Sequence, residues 1–244
     1  MKRVLTMQKK STGGFLGVFG NVGTVASTVG KGIFDVTERV VKVSAAATTA
    51  GAAAVSALTT LAVNSYADYE QLVGGVETLY KDSADKVQKY AAIAYKTAGL
   101  SANDYMETAT SFAAALVSSL AGDTDAAAEL ANTAVSDMSD NANKFGTDIE
   151  SLQTAYNGFA KGQFQLLDNL KLGYGGTKQE MQRLLDDANK LNAAQGKYTK
   201  YTIDNYADIV QAVHDIQTEM DITGTTAREA SSTIQGSTSA AKAA

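Results

Sequence analysis

The chain has 244 residues and no proline, cysteine or tryptophan, where average usage would place roughly 12 prolines. The missing proline removes the residue that most often ends or kinks a helix, and the missing cysteine excludes a disulfide framework, a thiolate nucleophile and a soft-metal site. The formal charge of -5 divides into +5 for residues 1–42, where seven Lys/Arg face Asp35 and Glu38, and -10 for the rest, an acidic body that argues against sequence-specific nucleic-acid binding. Hydrophobic residues reach 45%, but much of that is alanine and aromatics are 7%, which suits thin helical packing better than a bulky core.

Residues 1–35 are expected to be a flexible, glycine-rich lead-in, with Gly14, Gly17, Gly20 and Gly23 spaced by three. Its basic start, Met1-Lys2-Arg3 and Lys9-Lys10, resembles the opening of a secretory signal. The following GGFLGVFGNVG is glycine-rich rather than a compact apolar run, which argues against a cleaved signal. Residues 36–67 predict an alanine-rich helix, uncharged over the 25 residues Val43–Ala67. A bilayer span needs about 20 apolar residues, yet only Val43, Val55, Leu58, Leu61 and Val63 are strongly apolar aliphatics here. The expectation is close packing against partner helices.

From Asp68 glycines sit just before helix-start signals: Gly99 before Ser101-Ala-Asn-Asp104, Gly122 before Asp123, Gly146 before Thr147-Asp-Ile-Glu150, Gly176 before Thr177-Lys-Gln-Glu180, and Gly224 before Thr226-Ala-Arg-Glu229. Three of these read as capping boxes. The prediction is an all-α protein of helical hairpins or a bundle with coiled-coil-like seams. Residues 68–236 form its multi-helix module and 237–244 a disordered or truncated tail. One seam runs Ile149, Leu152, Tyr156, Phe159, Gln163, Leu166 and Leu170 along a single helix, and Gly158 and Gly162 leave a notch for another helix. That helix stops at the turn Gly173-Tyr-Gly-Gly176. A second seam follows in Ile203, Tyr206, Val210, Val213, Gln217 and Met220.

Catalytic chemistry finds little support. His214, beside Asp215, is the only histidine and has no nucleophile or second histidine near it in sequence. Asp137 with Asp140, and Asp186 with Asp187, read as solvated faces rather than metal ligands. The turn Gly173–Lys178 precedes a helix N-terminus, but its order is not that of a phosphate loop, and a capped inter-helix turn accounts for it. Tyr198, Tyr201 and Tyr206 are expected to anchor helix contacts. No catalytic residue, cofactor or metal is assigned.

Three strings carry several glycines at particular places: Ala67–Tyr80 (ADYEQLVGGVETLY), Lys96–Tyr105 (KTAGLSANDY) and Gly158–Leu191 (GFAKGQFQLLDNLKLGYGGTKQEMQRLLDDANKL). They closely resemble the tail tape measure proteins of long-tailed, siphovirus-like bacteriophages, over about Ala67 to Gly236. The resemblance implies a structural virion protein lying in the lumen of the tail tube, with the host cytoplasm as its place before assembly. Its length would set where tube polymerisation stops. Implied partners are other copies of itself, the tail tube protein, tail assembly chaperones and tail-tip proteins, with host envelope contact and a role in genome ejection. Family members are usually longer, so an N-terminal portion is expected; even one unbroken helix of this chain would reach only about 370 Å. Gly158, Gly162, Gly173, Gly175, Gly176 and the first seam are expected to shape helix packing. The alternative is a secreted or membrane-active helical protein inserting through residues 43–67.

Overall fold

The computed structural model describes residues 67–232, which from Asp68 belong to one unit of the chain. The lead-in 1–35, all but the last residue of the alanine-rich segment 36–67, and the tail 237–244 lie outside the described residues. Among those described, every regular element is helical and there is no strand.

A first helix, α1, covers residues 67–80 and presents Tyr69, Leu72, Val73, Val76 and Tyr80 to the core at helical spacing. A 3-10 turn, Lys81–Ser83, leads into α2 (Ala84–Thr97), which is followed by α3 (Ala102–Ser111), α4 (Ala113–Ser119) and α5 (Thr124–Phe145). Then come α6 (Ile149–Phe159), a 3-10 stretch Phe164–Leu170, α7 (Lys178–Ala194), α8 (Tyr206–Glu219) and α9 (Thr225–Ser232).

Several boundaries follow the local signals. Ser101 Oγ accepts the Asp104 amide at 3.1 Å, Asp123 accepts the amides of Asp125 and Ala126, and Thr177 Oγ1 accepts that of Glu180 at 3.1 Å. Gly146 closes α5 in the left-handed region, at φ +64°, where a side chain would be strained. Two expected capping boxes differ. Asp148, not Thr147, caps α6 by accepting the Ser151 amide, while the Thr147 hydroxyl is buried without a partner. Nor does Thr226 cap the last helix: α9 is capped from α5, by Asp140.

The 22-residue α5 is the central element, packing against α2, α3, α4, α6, α8 and α9. Ala127, Ala128, Ala131 and Ala134 are buried along it, and their small side chains let the neighbouring helices close in. The rest of the core is bulkier than the composition suggests, because the few aromatics are concentrated there. Tyr80, Tyr105, Phe112, Tyr156 and Phe159 are all buried, and the rings of Phe112, Tyr156, Phe159 and Phe164 follow one another with centroids 5.9–6.5 Å apart. Tyr80 Oη donates to the Ala109 carbonyl at 2.8 Å and Tyr105 Oη to Asn132 Oδ1 at 2.9 Å, so these two phenols are satisfied.

The first seam is not one coiled-coil helix. α6 ends at Phe159, the chain turns through Gly162 at φ +72°, and residues Phe164–Leu170 return as a 3-10 stretch. The second seam is the core face of α8: Tyr206, Val210, Val213 and Gln217 are buried against neighbouring helices, Ile203 lies in the loop before it, and Met220 is 40% exposed.

In α1, a Cβ at Gly74 would meet nothing within 4 Å. Gly74→Ala is therefore expected to stabilise the fold by about 0.5–1 kcal/mol through helix propensity, seen as a higher urea midpoint at unchanged slope.

Candidate functional site

Two of the glycines singled out by sequence, Gly158 and Gly176, meet the same short piece of chain. At Gly158 a Cβ would approach Leu166 Cδ1 at 3.0 Å and the Gln163 carbonyl oxygen at 3.3 Å, so the notch is filled by the returning chain and not by another helix. Gly176, on the other side, approaches the backbone of Gln165: an added Cβ would lie 3.0 Å from its carbonyl carbon, 3.2 Å from its Cα, and inside contact distance of its oxygen. Residues 163–166 are thus held between two glycines from different elements. Leu152, Tyr156, Phe159 and Leu170 are buried beneath them, with Ile149 and Leu166 partly so.

The turn Gly173–Gly176 is pinned by side chains of α7. Arg183 lies 4.3 Å over the Tyr174 ring, donates to the Gly173 carbonyl at 2.8 Å and pairs with Glu180, whose Oε2 accepts the Gly175 amide at 3.1 Å. Tyr174 Oη donates to Asp187 at 3.1 Å, and burial together with that carboxylate pushes the phenol up to about 12. With the Gly175 amide taken up by the Glu180 carboxylate and the Gly173 carbonyl by Arg183, the turn is a corner braced from α7.

A second cluster was not expected. Asp137 and Asp140, read from sequence as solvated, are both buried, because α5 is covered on nearly all sides between Ala134 and Asn141. Asp137 takes His214 Nδ1 of α8 at 3.0 Å from each carboxylate oxygen. Asp140 accepts the amides of Gly224 and Thr226, the latter at 2.8 Å, and so caps α9 from a different helix. Between them Ser139 Oγ donates to the Ala98 carbonyl at 2.7 Å, and Asn141 Nδ2 donates to the Leu170 carbonyl at 2.8 Å and to Gln217 Oε1 at 3.4 Å. Asp215, the sequence neighbour of His214, instead accepts Tyr201 Oη at 2.8 Å. Asn189 holds both backbone groups of Tyr201, accepting its amide at 2.7 Å and donating to its carbonyl at 3.1 Å.

Of the three tyrosines expected to anchor helices, Tyr201 and Tyr206 are buried and Tyr198 is fully exposed. Asp187 pairs with Lys190 at 2.9 Å, and Asp186 is exposed.

Burial raises the Asp137 carboxyl from its ordinary value to about 6, although the His214 hydrogen bond pulls the other way. His214 is raised, first by its hydrogen bond to Asp137 and then by the nearby charges of Asp137, Asp215 and Asp140, with partial burial opposing. A histidine whose Nδ1 is held by a carboxylate has the orientation of a general base. Among the described residues no nucleophile is hydrogen-bonded to it, and it lines neither of two cavities found there. One, of 460 Å³, lies between Ala98–Leu100, Ser139, Ile149 and α9; the other, of 300 Å³, lies between Phe159, Phe164, Lys178, Ile203 and Tyr206. Among the described residues no group of three or more His, Cys, Asp or Glu is arranged to hold a metal, and no helix is long and apolar enough to cross a membrane. What the cluster can do chemically is hold a proton between two helices.

Comparison with protein-family models, with curated proteins and with solved structures finds no match for this chain.

Proposed function

We propose that this chain is a phage tail tape measure protein, or a portion of one, acting through helix association and length. The observation that carries the reading is the resemblance of the three glycine-bearing strings. The structure adds support of a physical kind, since the glycines in those strings meet backbone demands. Gly99, Gly162 and Gly173 have positive φ, and Gly176 admits the Gln165 backbone. Such positions make the strings demanding to reproduce by composition alone.

On this reading the described residues are a folded module on the tape. Their longest helix has 22 residues, or about 33 Å, and helices far apart in sequence pack on one another. Length would be measured by other segments of the protein. In this reading the partners are further copies, the tail tube protein, assembly chaperones and tail-tip proteins, and the site of action is the tail tube lumen.

The test is tail length, by negative-stain electron microscopy, in a phage carrying the gene after in-frame deletion of whole helical turns outside residues 67–232. Shortening near 1.5 Å per deleted residue is expected. Intact tails of unchanged length would overturn the ruler reading.

A further inference from the structure

The arm formed by α8 and α9 is fastened to α5 by two buried carboxylates one helical turn apart. Asp137 holds His214, and Asp140 holds the amides that open α9. His214 is the single histidine of the chain, and its side chain keeps 27% exposure while that of Asp137 keeps 1%, so protons reach one member of a pair whose other member is sealed. The groups facing His214 are all acidic: Asp137 and Asp140 from α5, and Asp215 on α8 itself, which is tied to Tyr201 Oη. From α6 the neutral phenol of Tyr156 lies near Asp137. Among the described residues none of these three carboxylates forms an ion pair with a lysine or arginine, and the charge that pairs with Asp137 is that of His214.

We propose that His214 and Asp137 form a proton-operated clamp that holds the α8–α9 arm against α5 when His214 is protonated and loosens it when that proton leaves. Loss of the proton leaves an anion sealed between helices with a neutral partner, and two further carboxylates beside it. A buried pair with one charge removed is strongly destabilising. Both groups are raised in the folded state, so the sign is the same for each. The contribution of His214 is complete below its unfolded value near 6.5 and is lost as the pH rises through its higher folded value. That of Asp137 is complete below its unfolded value and is lost as the pH rises through about 6.

The experiment uses the full chain. The ring signal of the lone histidine is followed by NMR across pH 5 to 9, and amide exchange is measured in parallel and corrected for intrinsic rates. The expected result is a His214 midpoint above its ordinary value. Over the same interval residues 206–232 should lose protection relative to α2, by about tenfold for each unit of elevation. A midpoint at or below the ordinary value, or protection that falls evenly through α2 and the arm, overturns the clamp. Asp137→Asn should return the midpoint to its ordinary value and flatten the exchange profile; a folded variant with an unchanged profile overturns it as well. Should that variant not fold, the titration and exchange of the unaltered chain decide alone.

Discussion

Gly176→Ala is expected to destabilise the protein by about 3 kcal/mol, the upper end of the overpacking range. The residue is not at positive φ, so alanine costs nothing through conformation; the cost is steric. Its Cβ would run into the Gln165 backbone, which cannot rotate away as a side chain end would. The same short stretch meets Gly158 through the Gln163 carbonyl and the Leu166 side chain, so its room to shift away from Gly176 is limited. Gly173→Ala is the comparison: it lies at φ +82° with open space around it, and only the left-handed backbone penalty of about 1–2 kcal/mol applies. Urea unfolding of both variants separates the two mechanisms. A Gly176→Ala protein no less stable than Gly173→Ala would mean that the close approach does not exist in solution.

Asp140→Ala is expected to cost about 2 kcal/mol, combining the loss of a helix cap with the stranding of amides inside the fold. The effect should be local. Gly224 and Thr226 lose their acceptor, so α9 should exchange its amides much faster, while α5, from which the carboxylate comes, keeps its protection. Asp140→Asn should fall between the two, because the amide retains one acceptor oxygen. Hydrogen exchange read by mass spectrometry over residues 224–232 and 124–145 checks this. Equal loss in both segments would show that Asp140 supports the core and not the end of α9.

The local punctuation of this fold was legible in the sequence: Gly99, Gly122, Gly146 and Gly224 all take positive φ, and Ser101, Asp123 and Thr177 cap the helices that follow Gly99, Gly122 and the Gly176 turn. The first seam misled for a definite reason. Leu166 and Leu170 continue the heptad step of the sequence, but a 3-10 stretch repeats at three, so Phe164, Leu167 and Leu170 are the residues it buries and Leu166 is only partly covered. Gln163, the polar member of that seam, lies beyond the end of α6 and is not helical, at φ -90° and ψ 83°.

The carboxylate cluster was hidden for another reason. Polar residues read as solvated when the helix has a wet face, and α5 has almost none between Ala134 and Asn141. One signal was present: Asn141 falls in step with Ala131, Ala134 and Met138, a polar side chain in an apolar register. The partner of Asp140 could not have been found locally, since it lies 84 residues further along the chain.

That separation bears on how the protein is made. α5 leaves the ribosome well before the residues that complete it, because His214, Gln217 and Gly224 lie 76 to 84 positions downstream of their partners on α5. Until then its buried carboxylates and Asn141 face water, and the apolar side chains around them lack their cover. The nascent chain therefore spends the translation of about half of this module, several seconds at ~5–20 residues per second, with its central helix open on one side. Closure waits for α8 and α9, the last of the described helices to be made.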